Sequence, residues 1–366
     1  MQPKTPSLFA SPSVPTAAIS PFDFTSDNAV GADPRILKAL GECNEGSTTA
    51  YGFDELSVEV NRIYSALFEH EAFVFATPTG TAANGLAIGA ITPTYGAVFC
   101  HEHAHIVTTE CGAPEFYSSG ARLVLLPGAS HKISVNTLSD ALKPYQMGNL
   151  HRLRATTLSL TQLTDVGTSY SADELGALAE LARAAQIRVH MDGARFANAL
   201  VHRSLSPAAM SWQAGIDVLS LGLTKNGGMD VDAVICFDAE IAGVLRYLHK
   251  RAGFLYSKMR FAAAQLRTYV AAGLWLENAR RANSNARRLV AALLRCAGVR
   301  LEHEVQGNQL FVHIPPAITG ALERGGFRLR PWPSPANDLF RLVGSFCDQE
   351  EKLARFERAL EGICEP

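Results

Sequence analysis

Nothing in this 366-residue sequence approaches the ~20 consecutive apolar residues of a membrane-spanning helix, so no membrane segment is expected. An excess of one charge is missing too. Lys and Arg number 33 against 35 Asp and Glu, a formal net charge of −2, and no basic stripe is interleaved with aromatics. Nucleic acid is therefore not an expected partner, although a few arginines could still hold a small anion. Cysteine is sparse and unpatterned. Cys43, Cys100, Cys111, Cys236, Cys296, Cys347 and Cys364 form no C-x-x-C pair and read as reduced thiols rather than a disulfide frame. Residues 1–22 are rich in Pro, Ser and Thr but lack the basic start and apolar run of a secretory signal. They read as a flexible tail, and a cytoplasmic location is expected.

What is present is an ordinary globular composition, 47% hydrophobic and 19% charged, in a chain long enough for a main domain and a smaller one. Apolar, β-branched runs at 73–76, 122–126, 156–160, 187–191, 218–223 and 233–237 alternate with helical patterns. In residues 55–70, Leu56, Val60, Ile63, Tyr64 and Leu67 share one helix face. The pattern at 172–186 opens with Ser171 three residues before Glu174, a capping signal. This alternation predicts a mostly parallel sheet with helices on both faces. From about Met259 the pattern changes to a long Ala- and Arg-rich helical stretch, 261–293, then short strands near 309–314 and 340–344. The expected division is a tail (1–22), a large α/β domain (23–260), and a linking helix with a small α+β domain (261–366).

Three short motifs carry chemistry. Thr79-Gly80-Thr81 joins an apolar run to a helical pattern, and free N–H groups at a helix N-terminus suit a phosphate. A plain tight connection would look the same. Asp192, in His190-Met191-Asp192-Gly193-Ala194-Arg195, ends a strand, where open α/β sheets bind ligands. It could pair with a pyridinium nitrogen or simply cap the next helix. Lys225 ends another apolar strand and opens the turn Asn226-Gly227-Gly228. A desolvated lysine there could form a Schiff base, and a solvated one would do nothing. The conjunction of phosphate turn, strand-end aspartate and strand-end lysine, in this order, favours the chemical readings.

Over nearly the whole chain from Phe24, the sequence resembles the threonine aldolase family of fold type I pyridoxal-5′-phosphate enzymes, especially its bacterial low-specificity and phenylserine aldolase branch. The strings that carry this are Ser26-Asp27-Asn28, Tyr51-Gly52-x-Asp54-Glu55, Pro78 to Asn84, Glu110 to Phe116, His190 to Ala199, Thr224-Lys225-Asn226-Gly227 and Lys258-Met259-Arg260-Phe261. The resemblance implies an aspartate-aminotransferase-like fold with pyridoxal 5′-phosphate bound. It also implies a carbon–carbon lyase that cleaves L-β-hydroxy-α-amino acids to glycine and an aldehyde. By position, Lys225 matches the Schiff-base lysine and Asp192 the partner of the ring nitrogen. Gly80, Thr81 and Arg260 match phosphate contacts, and His105 the histidine stacked on the ring. Arg195 and Arg341 match the arginines near the ring hydroxyl and substrate carboxylate, with Ser26 beside them. Tyr51 matches a residue that reaches a neighbouring subunit's site, so a homo-oligomer, tetramer or dimer, with interface active sites is implied.

The chain departs from the family pattern after its fourth apolar run. Many threonine aldolases carry a histidine in an Asn-Thr-His-Asn-type loop there, where this chain reads Thr161-Gln162-Leu163-Thr164-Asp165-Val166-Gly167. The base that activates the substrate hydroxyl is then His105, with Asp165 as the second choice. His101, His103 and His105 alternate, and on a strand they would share one face as a zinc cluster does. No Asp or Cys set of matching spacing accompanies them, so no metal is expected. Another fold type I lyase or aminotransferase acting on amino acids is the rival activity, since fold does not fix chemistry. A non-catalytic protein that keeps the fold is opposed by the intact Lys225, Asp192 and Gly80-Thr81 set.

Overall fold

The computed structural model describes residues 22–145, 149–333 and 338–364; the tail expected at 1–22 otherwise lies outside them. Seven strands form the main sheet: β1 (Phe73–Thr77), β2 (Gly96–His101), β3 (Arg122–Leu126), β4 (Arg154–Thr161), β5 (Arg188–Gly193), β6 (Val218–Leu221) and β7 (Asp232–Cys236). Their order is β1-β7-β6-β5-β4-β2-β3. The run β6-β5-β4-β2-β3 is parallel, whereas β7 is antiparallel to both β6 and β1. Apolar periodicity says nothing of strand direction, which is why one reversed strand escapes it.

Helices cover both faces, and the strands divide their side chains between two cores. Along β7, Ala233 and Ile235 enter one cluster with Phe99, Leu158 and Met191, while Val234 and Cys236 enter another with Leu86 and Leu245. The helix Glu55–Phe68 is capped by Asp54 and buries Val60, Tyr64 and Phe68. Ser171 and Glu174 form the expected capping box of the helix Ala172–Ala184.

The helical stretch expected at 261–293 is two helices. Arg260–Val270 and Leu274–Leu293 are separated at Ala271–Gly273, where Gly273 takes φ 75°. Beyond them β8 (Arg300–Leu301), β9 (Gln309–His313), β10 (Arg330–Pro331) and β11 (Leu339–Val343) make a second, antiparallel sheet ordered β10-β11-β9-β8. Its own core contains Leu289, Leu310, Leu342 and Phe356, with Phe24 from the start of the chain. Cys43, Cys100, Cys111, Cys236 and Cys347 are free thiols, but Cys296 is disulfide-bonded, against the expectation of uniformly reduced cysteines.

Candidate active site

The carboxyl ends of β5 and β6 are neighbours, with Asp192 paired to Ser220, so the loop carrying Lys225 starts beside Asp192. Two glycines shape this corner. A Cβ on Gly222 would stand 2.4 Å from the Ala194 carbonyl oxygen, and Gly227 takes φ 114° with Asn278 against it. Asp232, buried at the start of β7, clamps the loop by accepting the Leu223 N–H at 2.7 Å and the Thr224 N–H at 3.0 Å. Lys225 itself is half-buried and makes no hydrogen bond or ion pair among the described residues. Its amine is free to react.

Asp192 sits in a buried network. One oxygen accepts the Ala194 N–H at 3.0 Å, and the other accepts Asn84 Nδ2 at 3.0 Å. The same Asn84 amide donates to Glu110 Oε1 at 2.8 Å, and that oxygen lies 2.7 Å from His105 Nδ1. Burial works against charge on His105, but Glu110 and Asp192 outweigh it and raise its pKa. Burial, together with Asp192, raises that of Glu110. Beneath them His190 is fully buried between Ser159 and Ser220, 3.0 Å from each hydroxyl. Burial pulls its pKa down to about 4, so it is a neutral structural histidine.

A second group is built on two arginines. Arg195 gives Nε to Asp27 Oδ2 and Nη2 to Asp27 Oδ1, both at 2.8 Å, and Asn308 adds a bond of 3.0 Å. Burial opposes ionisation of Asp27, yet Arg195 more than offsets it and holds the carboxyl below its usual value. Most of the Arg195 fork is thus committed. Arg341 donates to the Thr25 carbonyl at 2.8 Å and lies over the Trp332 ring at 5.4 Å, but its buried Nε has no partner. Burial, with Arg195 and Arg330 nearby, lowers it to about 10. Asp165 is raised to about 6 by burial and Asp192, against the pull of His105, Arg195 and Lys225. Ser26 caps a short 3-10 turn, its hydroxyl accepting the Asn28 N–H at 3.1 Å.

Two expected members lie apart from these contacts. The guanidinium of Arg260 bonds to the carbonyls of Asn44, Glu45 and Gly46, not to the Gly80-Thr81 turn. Tyr51 is exposed, with Lys250 4.7 Å over its ring. The three alternating histidines do not share a face, because β2 stops at His101, His103 follows in a turn and His105 opens a helix. His101 and His103 instead meet His131, each at a ring distance of 5.0 Å. Sequence reasoning missed Asn84, Glu110, Asp27 and Asp232 as site residues; the first three lay inside the family strings but carried no role.

The residues suit a phosphorylated pyridine aldehyde. Thr79 caps the helix Gly80–Ile91 through the Ala82 N–H at 3.1 Å, leaving the first N–H groups for an anion. A buried aspartate lies at the end of β5, an unpaired lysine follows the neighbouring β6, and the His105 side chain is 37% exposed. One oxygen of Glu110 is buried without a partner, as is Asn84 Oδ1. Ligand atoms of His105, Glu110 and Asp192 also lie within 4.8 Å of one another, as a metal site requires. The Asn84 amide already bonds both carboxylates from between them, which accounts for their approach.

A strand-end lysine and aspartate on a seven-stranded, mostly parallel sheet with a small antiparallel sheet beside it define a fold type I architecture. The chain belongs to the β-eliminating lyase family, whose profile matches residues 23–315. It is 39% identical to a low specificity L-threonine aldolase of Pseudomonas aeruginosa over 305 residues, which cover 83% of this chain and 88% of that one. It superposes on a threonine aldolase from Leishmania major with a TM-score of 0.87 at 27% identity, covering 94% of this chain and 99% of that one. An Escherichia coli protein with a methionine aminotransferase function shares the fold, with a TM-score of 0.73 at 14% identity over 99% of this chain and 100% of that one.

Proposed function

We propose that this protein cleaves L-β-hydroxy-α-amino acids of the threonine, allo-threonine and phenylserine type to glycine and an aldehyde. The observation that carries the reading is the unpaired Lys225 amine on the loop after the strand next to Asp192, with Lys225, Asp192 and His105 all close enough to act on Asp165. Pyridoxal 5′-phosphate, the cofactor that the family and fold imply, supplies when bound an aldehyde for amine condensation and a ring that accepts the electron pair of a broken bond at Cα. Lys225 holds the cofactor and yields it to the substrate amine. Asp192 keeps the ring nitrogen protonated, and the N–H groups at Gly80 and Thr81 receive the phosphate.

Arg341 takes the substrate carboxylate, since its Nε is unpartnered while Arg195 is largely occupied by Asp27. Ser26 lies near the same end of the site, next to the Thr25 carbonyl that Arg341 bonds. His105 receives the β-hydroxyl proton as the Cα–Cβ bond breaks, with Asp165 as the nearby second carboxylate. A proton returned to Cα yields glycine. The exposed rings of Tyr51, Phe53 and Phe116 support a homo-oligomer, a tetramer or dimer, in which Tyr51 serves a neighbouring subunit's site. We take 23–260 and 261–366 as its working domains and the cytoplasm as its location. No described helix is long and apolar enough to cross a membrane.

The test is aldehyde and glycine release from a panel of L- and D-β-hydroxy amino acids with cofactor supplied. Release from L-substrates alone supports the reading. Amino-group transfer to a keto acid, with no aldehyde formed, would replace it with the aminotransferase alternative.

A further inference from the structure

We infer that Glu110 is a positioning residue that fixes the tautomer and the charge of His105, and that Asn84 couples this pair to Asp192. The inference deepens the proposed reaction and rests on it only for its catalytic consequence.

Glu110 comes from the loop after the helix that His105 opens, and its side chain is fully buried, whereas that of His105 is 37% exposed. Its Oε1 receives two contacts, His105 Nδ1 at 2.7 Å and Asn84 Nδ2 at 2.8 Å; its other oxygen has none. An ionised carboxylate only accepts, so Nδ1 must carry the hydrogen and Nε2 is left with a lone pair on the open side. The pattern is that of a catalytic triad, in which a buried acid orients an imidazole and steadies the imidazolium that forms. A proton leaving the β-hydroxyl breaks an O–H bond, forms an Nε2–H bond on His105, and leaves the Nδ1–H···Glu110 bond in place. The positive ring is then balanced by a carboxylate it already touches.

Asn84 extends the unit. Both hydrogens of its amide are used, one on Glu110 Oε1 and one on Asp192 Oδ2. Two buried carboxylates are thereby held at a fixed separation, and each raises the cost of charge on the other. A positive ring nitrogen on Asp192 would relieve that repulsion and favour ionised Glu110, which in turn favours a protonated His105. The groups that face His105 are Glu110, Asp192, Lys225 and Asp165. The first two and Asp165 favour its charged form and Lys225 opposes it.

The experiment is a titration of His105 in the holoprotein by NMR of labelled histidine, assigned by its loss in His105→Phe. Wild type, Glu110→Gln and Glu110→Asp are compared, with the cofactor dissociation constant measured for each. Glu110→Gln should weaken proton binding to His105 by about tenfold or more, because an adjacent opposite charge is removed. Glu110→Asp keeps the charge and should restore part of the loss. Cofactor affinity should stay within roughly threefold, as the side chain at position 110 is assigned no cofactor contact, while kcat falls and KM holds. A His105 titration unchanged in Glu110→Gln overturns the inference. If Glu110→Gln fails to fold, Asn84→Ser supplies the second arm. It leaves the His105–Glu110 contact but cuts the link to Asp192, and a His105 titration that no longer responds to cofactor loading supports the coupling, whereas an unaltered response overturns it. A shifted His105 with unimpaired aldehyde release supports the inference and removes His105 from the role of base, so the two claims fail separately.

Discussion

Arg195 and Asp27 meet through two hydrogen bonds of 2.8 Å, pinning the segment before the first helix to the loop after β5, 168 residues away. Asp27 is buried, so its charge has no solvent to fall back on. Arg195→Ala should therefore lower unfolding stability by about 3–5 kcal/mol, the usual cost of stranding a buried charge. Arg195→Lys should recover little, since an ammonium cannot reproduce the two-toothed fork. Adding Asp27→Asn to Arg195→Ala should give back part of the loss. Urea denaturation of wild type, Arg195→Ala, Arg195→Lys, Asp27→Asn and the double variant measures this, and additive losses would contradict the pairing.

Mild acid should weaken the fold through its buried histidines. His190 is held neutral by burial with a folded pKa of about 4, and His131 reaches the same value through burial and the neighbouring His101 and His103. Depressed histidines contribute stability that is full above the unfolded value near 6.5 and is lost as pH falls toward 4. For fully buried His190 the loss between pH 6.5 and 4.5 should be on the order of 2–3 kcal/mol. His190→Gln should be less stable at pH 7 and show a flatter decline over that window. Thermal unfolding from pH 7 to 4.5 checks it, and a decline of equal slope in the variant would count against the assignment.

Asp165 works in the opposite sense. Its raised folded pKa of about 6 means that the folded state resists its ionisation, so stability falls as pH rises from about 4 to 6. Asp165→Asn should be the more stable protein at pH 8, by roughly 1–2 kcal/mol after allowance for its partial exposure, and should lose that advantage near pH 4. A variant less stable than wild type at pH 8 would show that the carboxylate is needed by the fold.

Asp192→Asn keeps the shape of the group but not its charge, and its single amide oxygen can still accept the Ala194 N–H while the Asn84 contact is given up. Cofactor binding should persist while kcat drops about 10²-fold or more, since the ring nitrogen loses its counter-charge. Absorbance titration and steady-state rates separate the two effects. Equal losses in both would mean that Asp192 only anchors the cofactor.

Much of this was legible before the structure. Asp192 and Lys225 stood at the ends of apolar runs, and burial of the strands forces their polar ends to emerge on the site side. Capping at Ser171 followed from local spacing alone. The rest depends on contacts between distant segments. Asn84 lies on a small-residue helix whose pattern shows no polar face, yet it reaches Asp192 across 108 positions. The alternating histidines misled because alternation marks a face only while a strand lasts, and β2 ends at the first of them. The reversal of β7 and the break at Ala271–Gly273 leave no trace in hydrophobic period, though Gly273 was a visible breaker.

The most direct measurement is borohydride reduction of the holoprotein followed by peptide mapping. Reduction fixes the carbon–nitrogen link between cofactor and lysine, and the account predicts a single labelled peptide carrying the modification on Lys225, absent from Lys225→Ala. A label on any other lysine, or none from a protein that still turns over substrate, would contradict it.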